Sequence, residues 1–173
     1  MQPLRIAVTG VPGSGKTSFC NHLNFEVLNV LDLAKKYSAI VDEGKNITPV
    51  EIDIMGLRKT LSKIWKISSE KIIFVDGHLS HNLPVDCVIL MRCRPDILEI
   101  RLKNRNWSEE KISENVEFEL LSAIINELDE NIPTLEIDAT FSTISEIWVE
   151  VEEWLEGERK TQMLEIDWIG ELH

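Results

Sequence analysis

The chain has 173 residues, of which 43% are hydrophobic, and its formal net charge is −12. This length allows one well-buried core but is short for two, so we expect a single domain. No apolar run approaches the roughly 20 residues of a membrane span, and the N-terminus lacks the pattern of a signal peptide, which predicts a cytoplasmic protein without membrane association. The cysteines, Cys20, Cys87 and Cys93, show no CxxC spacing and predict neither disulfides nor a zinc site.

Charge is divided unevenly along the chain. Residues 1–105 carry 15 Lys and Arg against 11 Asp and Glu, a balance of +4, whereas residues 106–173 carry 3 against 19, a balance of −16. The negative net charge disfavours a general nucleic-acid binder, because Lys and Arg supply the affinity for phosphate backbones. The mildly basic first part suits nucleotide phosphates. The acidic second part is either a solvated helix face or a surface that attracts a basic macromolecule.

Taken in chain order, the hydrophobic pattern alternates between strands and helices. Continuous apolar runs predict strands covered on both faces, and apolar residues spaced three and four apart predict helices. The predicted strands are residues 4–9, 25–30, 71–76, 85–91 and 133–138. The predicted helices are residues 15–23, 31–37, a segment that can start at Pro49 and reaches Trp65, residues 96–105, residues 108–130, and a last helix from the Thr143–Glu146 capping box to near Gly157.

Two segments fall outside this alternation. Residues 38–48 are polar and predict an interruption of the pattern, and residues 158–173 form a tail beyond the sheet. The alternation itself predicts right-handed βαβ crossovers, and therefore an α/β fold with a parallel sheet between layers of helices. Ligands of such sheets bind beyond the carboxyl ends of the strands.

Residues 10–17, GVPGSGKT, match the phosphate-binding pattern GxxxxGK[ST] without a departure, between a predicted strand and a predicted helix. The glycines let successive backbone N–H groups face an anion, and the following helix presents its positive end. Lys16 adds a positive charge near the β- and γ-phosphates, and the Thr17 hydroxyl is a ligand for magnesium. The motif therefore predicts ATP binding, for transfer or hydrolysis of the terminal phosphoryl group.

Asp76 and His78 follow the third predicted strand. An aspartate at this edge of the sheet lies beside the phosphate-binding loop, where it can hold magnesium through water. His78 titrates near neutral pH and can orient or deprotonate an attacking water, although a lone histidine more often has a structural hydrogen-bonding role. His81 is the weaker candidate of these two histidines.

Four arginines, Arg92, Arg94, Arg101 and Arg105, lie in and after the fourth predicted strand. Arginine matches phosphate oxygens in pairs and neutralises charge during phosphoryl transfer. Arg101 and Arg105 are one helical turn apart, so a mobile segment can lower both onto ATP. The pattern favours Arg105 as a functional residue. For the other three, phosphate binding and an exposed basic helix end stay equally open.

The sequence resembles the adenylate kinase family, and most closely the isoenzyme 6 branch, the CINAP-type ATPases of ribosome assembly, in its archaeal form. The resemblance covers about residues 4–156. Its anchors are GVPGSGKTS at residues 10–18, NVLDLAK at 29–35, VDGHLSHNLPVD at 75–86 and RLKNRNWSEEKISENVEFE at 101–119. The first segment is shared with many P-loop kinases, whereas the Asp-x-His pair and the short RNWSEEKISEN segment are more particular to this branch.

The resemblance implies a P-loop NTPase of the nucleoside monophosphate kinase type, with a three-layer fold around a five-stranded parallel sheet. A single domain would span residues 1–157, with a monophosphate-binding arm at about 29–52 and a lid at about 104–114, and residues 158–173 would form the tail. It implies conversion of ATP and AMP to two ADP with Mg²⁺, alongside slow ATP hydrolysis.

The resemblance also implies roles for individual residues. The phosphate-binding positions are Gly13, Ser14, Gly15, Lys16, Thr17, Ser18 and Arg105. The catalytic positions are Lys16, Asp76, His78 and Arg105, with Thr17 and Asp76 as ligands of Mg²⁺, the latter through water. Asp32 and Lys35 are the arm residues for AMP, and Lys35 stands where many relatives have arginine. The adenine-contacting loop, residues 139–142, differs from that of eukaryotic members.

Members of this branch bind a basic small-subunit ribosomal protein and assist late maturation of the small-subunit rRNA, so the resemblance implies such a partner and an indirect contact with rRNA. Two alternatives stay open. One is an ATP-switched assembly chaperone in which kinase turnover is incidental, and the other is a kinase for a different small nucleotide or metabolite.

Overall fold

The computed structural model describes residues 3–42, 50–66 and 69–172, with the backbone alone for residues 171 and 172. Its strands are β1 (Arg5–Thr9), β2 (Glu26–Asn29), β3 (Ile40–Asp42), β4 (Glu51–Ile52), β5 (Ile73–Asp76), β6 (Cys87–Arg92) and β7 (Thr134–Asp138). Five of them form a parallel sheet in the order β2-β5-β1-β6-β7, which confirms the five predicted strands and the α/β fold.

The helices are α1 (Lys16–His22), α2 (Val30–Lys36), α3 (Ile54–Ile64), α4 (Pro95–Lys103), α5 (Glu109–Leu120), α6 (Ile144–Glu156) and α7 (Trp168–Leu172). Helices α1 and α6 cover one face of the sheet, and α2 and α3 cover the other. The strands are buried on both faces because successive side chains point to opposite sides: in β1, Ile6 and Val8 pack under α1 and α6, and Ala7 packs under α2 and α3. None of the helices in the described ranges is long and apolar enough to cross a membrane.

The predicted polar interruption at residues 38–48 contains a strand that the sequence pattern missed. Strand β3 pairs antiparallel with β4, and the pair stands apart from the main sheet. Pro49, the predicted helix start, lies outside the described residues. Helix α3 begins at Ile54, because the carboxylate of Asp53 accepts a hydrogen bond from the Gly56 N–H at 2.8 Å and caps the helix there.

The prediction of one helix over residues 108–130 is wrong. Helix α5 ends at Leu120, and the chain then passes through Ser122, which has a left-handed backbone (φ +51°), into a 3₁₀ helix at Ala123–Glu127. The hydroxyl of Ser122 accepts a hydrogen bond from the buried guanidinium of Arg92 at 2.8 Å. This contact holds the reversal in place, and no local pattern in the sequence encodes it.

The tail beyond α6 continues the sheet. Gln162 lies parallel to Leu135 at the edge of β7, with hydrogen bonds from the Glu136 N–H to the Gln162 carbonyl and from the Gln162 N–H to the Thr134 carbonyl. Further on, Trp168 is buried in α7. The tail therefore covers the β7 edge, which would otherwise expose unpaired backbone groups.

Candidate active site

The loop between β1 and α1 has a backbone that only glycine adopts readily. Gly13 has φ +92°, and a Cβ there would lie 2.8 Å from Leu98 Cδ1. Gly10 has φ +139°, and a Cβ there would collide with the carbonyl oxygen of Met91 on the neighbouring strand β6. These glycines let the loop fold tightly over the carboxyl ends of β1 and β6, with the N-terminus of α1 directly behind it.

Lys16, the first residue of α1, is buried against this loop. Its Nζ donates hydrogen bonds of 2.9 Å to the carbonyl oxygens of Gly10 and Val11. Burial lowers the pKa of Lys16 to about 8, the nearby Asp76 carboxylate opposes this shift, and the Arg105 guanidinium adds to it. The ammonium group is therefore held at the loop, partly shielded from water, where its charge would attract bound phosphates strongly.

This pKa predicts how nucleotide affinity depends on pH. Phosphates bind the ammonium form of Lys16. The affinity for ATP should therefore be highest well below pH 8, where Lys16 is protonated, and should fall above pH 8 by up to about tenfold per pH unit. Calorimetric titration with ATP between pH 7 and 9.5 measures the affinity, and buffers of different ionisation enthalpy reveal the proton that Lys16 takes up on binding. A Lys16→Arg variant keeps its charge and should lose the slope. An affinity that stays constant to pH 9.5 would contradict the prediction.

Thr17 and Asp76 meet beside the loop. The register between β1 and β5 places Val8 opposite Asp76, so the aspartate lies at the carboxyl edge of the sheet next to the glycines. The Thr17 hydroxyl donates a 2.8 Å hydrogen bond to Asp76 Oδ2. Asp76 Oδ1 is buried and has no hydrogen-bond partner among the described residues. A hydroxyl and an unsatisfied carboxylate oxygen side by side fit a Mg²⁺ ion and its water ligands.

His78 lines the same edge of the loop as Thr17 and Asp76. Its Nδ1 is 3.1 Å from the carbonyl oxygen of Gly10 and donates to it, since a carbonyl oxygen can only accept. Burial lowers the pKa of His78, although the hydrogen bond to Gly10 opposes the shift. The ring is therefore neutral near pH 7, and its Nε2 carries a lone pair that can accept a proton.

Two neighbouring depressions meet at this loop. A small cleft of about 230 Å³ brings together most of the predicted phosphate, metal and water positions: Gly13, Gly15, Lys16, Thr17, Ser18, Asp76, His78 and Arg105. A larger cavity of about 410 Å³ lies between the loop, α4 and the segment after β7, with apolar walls from Phe19, Met91 and Ile147. Arg105 lines both, and Ser14 lines the larger one. The pair has room for a nucleoside next to a chain of phosphates.

The other candidate arginines have structural contacts. Arg92 is fully buried and bound by Glu119 and Glu136, so it cannot reach a ligand in either depression. Arg94 pairs with the carboxylate of Asp96 at 2.7 Å. Arg101 lines the large cavity, but its guanidinium also donates to backbone carbonyl oxygens, at 3.3 Å to that of Gly13 and at 2.8 Å to that of Thr140. Arg101 therefore joins the phosphate-binding loop to the segment after β7.

The residues of the predicted AMP arm lie away from the two depressions. Asp32 and Lys35 are exposed on α2, and neither lines the small cleft or the large cavity. Their role in AMP binding stays a prediction. Asn29, which was not predicted as a site residue, lines the small cleft, and its side chain caps α2 by accepting from the Leu31 N–H. Its position at the carboxyl end of β2, opposite Asp76 in β5, is the feature that identifies it.

The parallel sheet, the glycine loop and the buried lysine together define a P-loop nucleotide-binding fold. Among solved structures, a gluconokinase from Sinorhizobium meliloti matches with a TM-score of 0.54 at 17% identity, over 89% of this chain and 92% of that one. The YorR protein from Bacillus subtilis, in complex with phosphorylated GDP, matches with a TM-score of 0.56 at 14% identity, over 88% and 95%. At identities this low, the two matches show that the fold is shared and nothing more specific.

Sequence comparisons are more specific. An AAA domain model matches residues 6–122. A protein named "Putative adenylate kinase" from Archaeoglobus fulgidus is 38% identical over 175 residues, which covers 96% of this chain and 93% of the relative. Proteins of the same name from Pyrococcus abyssi and Methanocaldococcus jannaschii are 37% and 31% identical, over 94% and 95% of this chain and 90% and 93% of theirs. The chain belongs to this archaeal family of P-loop kinases.

Proposed function

We propose that the protein is an adenylate kinase that transfers the terminal phosphoryl group of ATP to AMP and forms two ADP. The observation that carries the proposal is the grouping of the Lys16 ammonium, the Thr17 hydroxyl and the Asp76 carboxylate around the phosphate-binding loop. The names of the archaeal relatives favour AMP as the acceptor.

In this proposal the two depressions hold the two ends of ATP. The base and ribose occupy the large cavity, where Phe19 and Ile147 offer apolar contact, and the phosphates extend over the loop into the small cleft. Lys16 exchanges its contacts with the Gly10 and Val11 carbonyls for phosphate oxygens, and Arg105, at the junction, neutralises charge that develops during transfer. Thr17 and Asp76 would hold Mg²⁺, which supplies further charge neutralisation at the phosphates.

The acceptor would enter from the side of α2 and the β3–β4 pair, where Asn29 lies nearest to the small cleft and Asp32 and Lys35 are further out. Lysine is a point charge and lacks the paired contacts of arginine, so Lys35 would hold the AMP phosphate less specifically. The test is ADP formation from ATP with AMP, GMP, CMP or UMP as acceptor. AMP should give the fastest turnover. Equal rates with all four acceptors, or no ADP formation that depends on any of them, would refute the assignment as an adenylate kinase.

We also propose slow ATP hydrolysis, with His78 as the residue that orients or deprotonates water. Only hydrolysis needs an oriented water, so His78→Ala should lower ATP loss without AMP by roughly 10²-fold and AMP phosphorylation much less. The comparison is the ratio of the two rates in the wild type and in the variant. Equal losses in both reactions would contradict the role of His78.

We also propose that this activity serves maturation of the small ribosomal subunit in the cytoplasm, and the acidic surface supports this proposal. Helix α6 and the turn that follows it expose carboxylates that suit a basic ribosomal protein, namely Glu146, Glu150, Glu153, Glu156 and Glu158. If the protein is an ATP-switched chaperone, such a partner should raise the rate of ATP hydrolysis, and AMP should leave that rate unchanged. If kinase activity dominates, ADP formation should follow the AMP concentration and ignore the partner.

A further inference from the structure

His81 is a buried histidine that the proposed chemistry does not use. It lies in a short 3₁₀ helix, Ser80–Asn82, which follows the turn that carries His78. Only 4% of its surface is exposed, and both of its ring nitrogens have polar neighbours. A buried imidazole with this many partners has a fixed orientation, and its contacts lead directly to the phosphate-binding loop.

The hydroxyl of Thr9, the last residue of β1, connects the two histidines. Its Oγ1 is 2.8 Å from the backbone carbonyl oxygen of His78 and 2.8 Å from Nδ1 of His81. A hydroxyl has one hydrogen, and a carbonyl oxygen can only accept, so Thr9 donates to His78 and accepts from the Nδ1–H of His81. His81 Nε2 lies 2.8 Å from the side-chain amide nitrogen of Asn82. The contacts of Thr9 therefore fix a proton on Nδ1 of His81.

A charged group faces the outer side of the ring. Glu127 Oε2 lies 3.3 Å from His81 Nε2, and its residue ends the 3₁₀ helix that follows α5. Burial lowers the pKa of His81, and Glu127 opposes this shift. The remaining titratable group that acts on it is His78. Glu127 thus joins the segment after α5 to the 3₁₀ helix that follows the turn of His78.

The turn and the 3₁₀ helix that follows it are attached to β1 and to the phosphate-binding loop at two further points. The Ser80 hydroxyl donates to the Val8 carbonyl at 3.0 Å, and His78 Nδ1 donates to the Gly10 carbonyl at 3.1 Å. The orientation of the His78 ring therefore depends on a backbone that Thr9 holds, and Thr9 in turn is held by His81. Small displacements of a group that orients a nucleophile cost large factors in rate.

We propose that His81 is a positioning residue that acts through Thr9 to fix the His78 backbone, so that Nδ1 of His78 stays on Gly10 and Nε2 is free to accept a proton from water. His81 thereby sets the share of ATP turnover that ends in hydrolysis. The inference rests on the proposed function of His78.

The test compares pairs of variants that keep or remove single hydrogen bonds. His81→Leu removes the ring's contacts with Thr9, Asn82 and Glu127, whereas in His81→Asn the amide N–H replaces the Nδ1–H that binds Thr9. Thr9→Val removes the connecting hydroxyl and keeps a β-branched strand residue, and Thr9→Ser restores the hydroxyl. Each is measured for ATP hydrolysis, for AMP phosphorylation, and for the His78 tautomer by ¹⁵N NMR of the nucleotide-free protein, in which four histidines allow assignment by substitution.

His81→Leu and Thr9→Val should lower hydrolysis about tenfold or more and leave AMP phosphorylation within about threefold of wild type. In both, the His78 ring should change from the Nδ1–H form to a mixture of tautomers. His81→Asn and Thr9→Ser should keep the wild-type ratio and tautomer. If His81→Leu does not fold, the two Thr9 variants decide the question alone.

The inference is overturned if folded His81→Leu or Thr9→Val keeps both the wild-type rate ratio and the wild-type His78 tautomer. It is also overturned if His81→Asn is as impaired as His81→Leu, since that result indicates packing alone. A wild-type protein without AMP-dependent ADP formation would refute the proposed function instead. The tautomer of His78 in the nucleotide-free variants would still decide whether His81 positions it.

Discussion

Replacing Lys16 with alanine is expected to lower ADP formation and ATP hydrolysis by roughly 10³-fold or more. Lys16 is the buried ammonium group of the phosphate-binding loop, and its two hydrogen bonds to the Gly10 and Val11 carbonyls place it where the β- and γ-phosphates would lie. Both reactions develop negative charge on the same phosphoryl oxygens. The loss should therefore be common to both reactions, unlike that of the His78 and His81 variants.

The Lys16→Ala variant should remain folded. Burial lowers the pKa of Lys16 to about 8, which means that the folded structure disfavours the charged form and gains no stability from the charge. Circular dichroism and thermal unfolding check this point. Lys103→Ala, which changes an exposed lysine paired with Glu99 on α4, is the matched control and should keep near wild-type activity. Activity of Lys16→Ala above about a tenth of wild type would contradict the role of the loop.

Replacing Glu119 with alanine is expected to lower the free energy of unfolding by about 3–5 kcal/mol. Glu119 Oε1 accepts from Arg92 Nε at 2.6 Å and from Trp168 Nε1 at 3.1 Å, and all three side chains are buried. Burial raises the pKa of Glu119, and the Arg92 guanidinium opposes that shift. Without the carboxylate, Arg92 keeps its hydrogen bonds to Glu136, Ser122 and a backbone carbonyl but loses its Nε acceptor, and the indole of Trp168 loses its acceptor as well.

Urea unfolding followed by circular dichroism measures this effect. Glu117→Ala is the matched control, because Glu117 lies on the same helix but is exposed, so its removal should change stability by less than about 0.5 kcal/mol. Glu119→Gln keeps an acceptor for Arg92 and Trp168 and should fall between the two. Equal unfolding free energies for Glu119→Ala and Glu117→Ala would show that the buried cluster does not stabilise the fold.

The sheet could be predicted from the sequence because its strands are buried on both faces. The predicted strands at residues 71–76 and 85–91 contain the continuous apolar runs 72–75 and 87–91, and β5 and β6 overlap these runs. The phosphate-binding loop could be predicted because the need for positive φ at Gly13 and for an ammonium group at Lys16 restricts the residue at each position. Local chemistry determined both features.

The features that were missed depend on long-range contacts. Helix α5 stops because Ser122 binds Arg92 of β6, and the tail docks because Trp168 reaches Glu119. Neither partner is near in sequence, so no periodicity can indicate the contact. Strands β3 and β4 are three and two residues long, too short for an alternating pattern to be distinguished from a loop.

In the candidate site, too, some residues could be predicted from the sequence and others depend on long-range contacts. Thr17, Asp76 and His78 converge because parallel strands end at one edge of the sheet, which the motif and the strand pattern already imply. Arg92 could be read as a phosphate ligand from its residue type alone, but its burial between two carboxylates was not visible in the sequence. The position of Asn29 became clear only once the pairing of β2 with β5 was known.

The most direct measurement is calorimetric titration of the purified protein with ATP in the presence of magnesium, at pH 7. We expect saturable binding at one site per chain, lost in Lys16→Ala and retained in Lys103→Ala. Absence of saturable binding by the wild-type protein, or equal binding by Lys16→Ala, would contradict the claim that this loop holds the phosphates of ATP.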